Sequence, residues 1–173
     1  MKRILLPILF SISSFCYGQT TDNTYLLRAI KKDNAGDYKG AIQDYNKLIE
    51  INPEDDYYYG KRGMAKASLG DHVGAIQDFS RAIKIYYPKT HYAPNPLYYQ
   101  QRALSKAKLG DHRGAIQDFN NAIEIVPEYP WHYYYRGISK VMLGDKNGGC
   151  LDFSKAGELG NRQAYEAIKK YCN

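Results

Sequence analysis

Apolar side chains recur along most of this chain with the period of an α-helix. Ala75, Ile76, Phe79, Ala82 and Ile83 stand at i, i+1, i+4, i+7 and i+8, which is one stripe on a helical surface. The stripe returns as Ala41, Ile42, Tyr45, Leu48 and Ile49, and again as Ala115, Ile116, Phe119, Ala122 and Ile123. The phrases that carry it are near copies. "LGDHVGAIQDFSRAI" from Leu69 and "LGDHRGAIQDFNNAI" from Leu109 agree at twelve of fifteen positions, forty residues apart. Fainter copies are "AGDYKGAIQDYNKLI" from Ala35 and "LGDKNGGCLDFSKAG" from Leu143.

A second helical segment precedes each copy: "NTYLLRAIKKDNAG" from Asn23, "YYYGKRGMAKASLG" from Tyr57, "LYYQQRALSKAKLG" from Leu97 and "WHYYYRGISKVMLG" from Trp131. These close on Gly36, Gly70, Gly110 and Gly144, where glycine accepts the left-handed backbone that ends a helix. Asp37, Asp71, Asp111 and Asp145 follow and suit the N-cap of the next helix. Pro53, Pro88 and Pro127 are expected to stop the second helices of the first three units. The unit is therefore helix, tight turn, helix, and the turn glycines are spaced 34, 40 and 34 residues apart.

This unit resembles the tetratricopeptide repeat, whose period is 34 and whose pattern includes a late alanine, an aromatic and a closing proline. The resemblance implies an all-α, right-handed superhelical solenoid, because one helical hairpin cannot bury its apolar face alone. Units are expected over residues 22–55, 56–95, 96–129 and 130–161, with a capping helix over 162–173. The second unit carries six extra residues, expected as a loop over 86–96, in "YYPKTHYAPNP". First helices of the family line a concave groove that takes a peptide. Carried onto this chain, that wall comprises Tyr57, Met64, Leu97, Gln100, Leu104, Lys108, Trp131, Tyr134, Ile138 and Met142, with Leu26 and Ile30 in the first unit. The charged clamp some members use for carboxylate-ended chaperone peptides needs Lys and Asn where Leu26, Ile30, Gly60 and Met64 stand, so that partner class is not implied.

Polar letters repeat as faithfully as apolar ones. Arg28, Arg62, Arg102 and Arg136 each precede Asp44, Asp78, Asp118 and Asp152 by sixteen residues, with the turn glycine midway. An antiparallel hairpin then sets each pair at one height, and four charge-assisted, bidentate pairs are expected as structural register devices. Lys32, Lys66, Lys106 and Lys140 follow the arginines by four residues, a repulsive spacing that a shared aspartate would relieve. The commoner form of the repeat has leucine at the arginine position.

Composition narrows the function. The chain of 173 residues carries a formal charge of +6. Lys2 and Arg3, the apolar run Ile4 to Phe15 and the small residue Gly18 read as a secretory signal peptide over 1–18, cut before Gln19. Without Lys2 and Arg3 the mature charge is +4, spread evenly, with no basic stripe for nucleic acid. A lipid anchor at Cys16 is the alternative, opposed by bulky Phe15 before it. His72, His91, His112 and His132 show no metal-ligand spacing, and phosphate loops, HExxH and GxSxG are absent from the sequence. No cofactor, membrane span or small-molecule substrate is expected, and the chain reads as non-catalytic. Cys150 and Cys172 flank the last turn, near Gly160, at similar distances. Export favours a disulfide between them over two separately buried thiols. The reading is an exported scaffold, periplasmic or secreted, that binds another protein or peptide; a lipid-anchored structural subunit of an envelope assembly is the alternative.

Overall fold

A computed structural model describes residues 22–90 and 94–172 of the chain. The expected signal peptide, Cys16 and His91 lie outside the described residues. Those described form helices only: α1 over 22–34, α2 Tyr38–Ile51, α3 Asp56–Ser68, α4 His72–Thr90, α5 Pro96–Lys108, α6 His112–Ile125, α7 Pro130–Met142, α8 Lys146–Glu158 and α9 Arg162–Tyr171. α3, α5 and α7 each pair with the even helix after them, α1 meets α2 through Ala29 and Ala41, and each even helix packs on the next odd one. The hairpins thus stack in a line, a solenoid rather than a closed bundle.

Local chemistry sets the hairpin. Gly36, Gly70, Gly110, Gly144 and Gly160 have φ of 77° to 95°, the left-handed backbone that turns the chain. Asp37, Asp71, Asp111 and Asp145 then cap the even helices by accepting from the N–H of Gly40, Gly74, Gly114 and Gly148 at 2.8–2.9 Å. A Cβ at those four glycines would come within 2.1–2.2 Å of the capping carboxylate, so any side chain there displaces the cap.

The centre of each stripe read from the sequence is buried, with its isoleucines half-buried at the edges, and each is finished by a residue from the following unit. Ala29, Ala41, Tyr45 and Leu48 close on Tyr58 of α3. Ala75, Phe79 and Ala82 close on Tyr98 of α5, and Ala103, Ala115 and Phe119 receive Tyr135 of α7. The ring of Tyr135 lies 6.2 Å from Phe119, nearly parallel to it. In the last unit Phe153 and Ala156 close on Ala164 and Ala167 of α9, which thereby acts as the cap. Here Gly149 replaces the alanine found at 41, 75 and 115, and a Cβ on it would lie 2.9 Å from the carbonyl oxygen of Gly137. The last hairpin is packed backbone to backbone.

One expectation fails. Pro88 does not end the second helix of unit two, and residues 86–90 are not loop: α4 runs to Thr90, whereas the equivalent helices stop at Ile51 and Ile125. An interior proline loses its own bond to the carbonyl four residues back and crowds that carbonyl, which strains a helix, yet here the helix continues past it. Most of the six-residue excess is therefore spent as more than one extra turn of helix.

Phe119 is fully buried, with its core shared by two units. Phe119→Ala should cost about 3–5 kcal/mol in urea unfolding, through lost burial and a residual cavity. Ile116→Ala, at a half-buried position one turn away, should cost clearly less.

Candidate functional site

The four expected ion pairs form. In each, the arginine Nε donates to one carboxylate oxygen at 2.8–2.9 Å and Nη2 donates to the other at 2.5–2.6 Å. The expected sharing also holds: Lys32, Lys66, Lys106 and Lys140 reach the same aspartates at 2.8–2.9 Å. Asp44, Asp78, Asp118 and Asp152 are buried, so each carboxylate needs this much compensation. The hydrogen bond from Arg28 holds Asp44 below the usual carboxylate range.

A second set of contacts was not anticipated. The remaining guanidinium arm, Nη1, reaches back to the preceding unit: Arg62 to Asn46 at 2.7 Å, Arg102 to Ser80 at 3.0 Å and Arg136 to Asn120 at 2.7 Å. Among the described residues no unit precedes that of Arg28, and its side chain is 50% exposed against 17% for the other three. Tyr25, Tyr59, Tyr99 and Tyr133 lie against the guanidinium planes, with ring centroids 4.9–5.6 Å away. A signal for the acceptors existed. Asn46, Ser80 and Asn120 each stand two residues after the ladder aspartate, always with a side chain able to accept.

The groove residues divide. Met64, Leu104 and Lys108 line a cleft of about 390 Å³ between α3 and α5, together with Ala67, Ser68, His72, Gln101 and Ser105. Tyr134 and Ile138 line a second cleft, about 280 Å³, against Gln163, Glu166, Ala167, Lys170 and Tyr171. Trp131 is half-buried, with Tyr134 edge-on at 5.7 Å and Tyr135 stacked at 5.7 Å. Tyr57, Leu97 and Met142 are exposed. Gln100 departs from the expectation: its side-chain oxygen lies 3.1 Å from Nε2 of buried His132, so it is spent between units rather than left in the groove. Leu26 packs on the first core. Among the described residues no cluster of His, Cys, Asp or Glu is placed to hold a metal ion. Nor is any described helix long and apolar enough to cross a membrane. Cys150 of α8 and Cys172 at the end of α9 are brought together, with Cα atoms 5.8 Å apart, within disulfide reach.

The tetratricopeptide repeat profile matches residues 24–55 and 97–129. Over those two segments the chain carries tetratricopeptide repeats. No curated protein matches it by sequence. Among solved structures, MamA superposes with a TM-score of 0.77 at 21% identity, covering 86% of this chain and 79% of that one. A tetratricopeptide repeat protein from Parabacteroides merdae gives 0.72 at 18% identity, over 83% and 55%. The first repeat domain of Spaghetti (RPAP3), bound to the HSP90 peptide SRMEEVD, gives 0.62 at 20% identity, over 68% and 90%. These likenesses fix the fold. The profile-matched repeats include two complete rungs, Arg28–Asp44 and Arg102–Asp118, so the arginine variant is built within recognisable tetratricopeptide units.

Asp118→Ala should cost about 3–5 kcal/mol, because Arg102 and Lys106 then face each other across a buried space without their counter-ion. Urea denaturation measures it. Arg102→Gln should destabilise more than Arg28→Gln, since only the former also severs a bond between units.

Proposed function

We propose that this protein is a non-catalytic scaffold that binds another protein or peptide through the row of first helices α3, α5 and α7, with α9 at its end. The observation that carries the reading is the pair of clefts on that row. They combine thioether, aliphatic and aromatic walls (Met64 and Leu104 in one, Tyr134 and Ile138 in the other) with a few polar groups at the rim. Such surfaces suit the anchoring side chains of a bound segment. The RPAP3 neighbour is an instance of the fold solved with a peptide bound. HSP90-type peptides are not the proposed ligand, because Leu26, Ile30, Gly60 and Met64 occupy the clamp positions here. The ionic ladder serves register, not recognition: its carboxylates are buried and already doubly paired.

Peptide-display selection against the folded protein, followed by calorimetry, tests this. Leu104→Glu and Tyr134→Ala should each weaken a selected peptide at least about tenfold, roughly 1.4 kcal/mol. Binding untouched by both would refute the groove.

Export is part of the proposal, resting on the N-terminal sequence and on two cysteines brought together where a disulfide can persist. The mature N-terminus discriminates: a chain starting at Gln19 supports the exported form, an acylated Cys16 the lipid-anchored subunit. A Cys150–Cys172 disulfide would staple the solenoid end. Reduction should then lower stability by roughly 3 kcal/mol, and free thiols in the native exported protein would contradict it.

A further inference from the structure

The three joints between consecutive units are built on one plan with one exception. In α3, Tyr58 is buried and its hydroxyl donates to the Asp22 carboxylate at 3.3 Å, at the start of the preceding first helix. In α5, Tyr98 repeats this toward Asp56 at 3.0 Å. The same position in α7 is His132, only 2% exposed, and the position equivalent to Asp22 and Asp56 is Pro96. With no carboxylate there, the imidazole turns to Gln100, one turn further along α5, with Nε2 3.1 Å from the amide oxygen.

We propose that the joint between units three and four is a pH-sensitive latch, closed while His132 is neutral and loosened when it takes up a proton. A phenol at this place does not change charge near neutrality; an imidazole does. The surroundings decide the direction. Facing the ring are the Gln100 amide from α5, and the Tyr129 ring, centroid 4.7 Å away, and the Val126 carbonyl from the connection before α7. Arg136, one turn along α7, is a cation and is already held by Asp152. None of these supplies a negative charge. Burial accordingly holds His132 below an ordinary imidazole in proton affinity, with the Val126 carbonyl opposing only in part. The unfolded or opened segment binds a proton near pH 6.5, as a free histidine does. The latch therefore contributes its full stability above that pH and loses it as pH falls toward the lower value of the closed state.

Hydrogen exchange, corrected for intrinsic rates, reads the joint directly. Between pH 7.5 and 5.5 the opening of α7, α8 and α9 should rise by up to about tenfold in the wild type, the limit set by linkage to one proton. Amides of α1 to α3 should change far less. His132→Gln should remove the pH dependence. Pro96→Asp, which restores the carboxylate of the other two joints and leaves the Asn95 cap in place, should reverse it by giving the imidazolium a counter-ion. Equal acid loosening in the wild type and His132→Gln, or no effect of Pro96→Asp, would overturn the proposal.

Discussion

A two-helix unit of this kind has an apolar stripe that its own partner helix covers only in part. Tyr45 with Leu48, Phe79 and Phe119 are fully buried only because Tyr58, Tyr98 and Tyr135 arrive from the next unit to complete each core. Burial is thus passed along the line, and after the fourth unit it is α9 that supplies it. Phe153 of that unit is covered through Ala164 and Ala167, with Tyr171 stacked at 6.1 Å. The Cys150–Cys172 contact sits at that same end, where fraying would begin.

Hydrophobic closure has little preference for register, since one alanine-rich face resembles another. The ladder supplies what closure lacks. One guanidinium binds its carboxylate with two parallel bonds inside the hairpin and uses its third arm on the hairpin before, so the fit within a unit and the fit between units are read by one side chain. Burying an aspartate is costly without full pairing, and a sliding contact would leave it bare, which disfavours wrong registers. The ladder also bears on the basic character of the chain. Eight cations on four aspartates leave four positive charges in excess, a large part of the formal +6.

The binding surface proposed here is what these demands leave over. One position of the first helices varies from unit to unit: Gly60, Gln100 and Tyr134 occupy equivalent places. Gly60 is taken up by packing, since a Cβ there would lie 2.3 Å from the Tyr98 ring, and Gln100 by the joint. Tyr134 is left facing a cleft. The six-residue excess of unit two lengthens α4 instead of adding only loop.

Features that repeat were legible in the sequence by themselves. The stripes, turn glycines, aspartate caps, ion pairs and shared lysines all follow from a helix period and from a constant sixteen-residue offset, which are properties of one chain segment folded on itself. What joins one unit to the next was legible only in part: residues able to accept recur at 46, 80 and 120, but the sequence does not say what they meet. The Asn46, Ser80 and Asn120 acceptors, the Tyr58 and Tyr98 latches and the His132–Gln100 exception depend on how neighbouring hairpins sit against each other. Contacts between units join residues of separate hairpins, at offsets that shift with every insertion, so only the packed structure says which side chains meet.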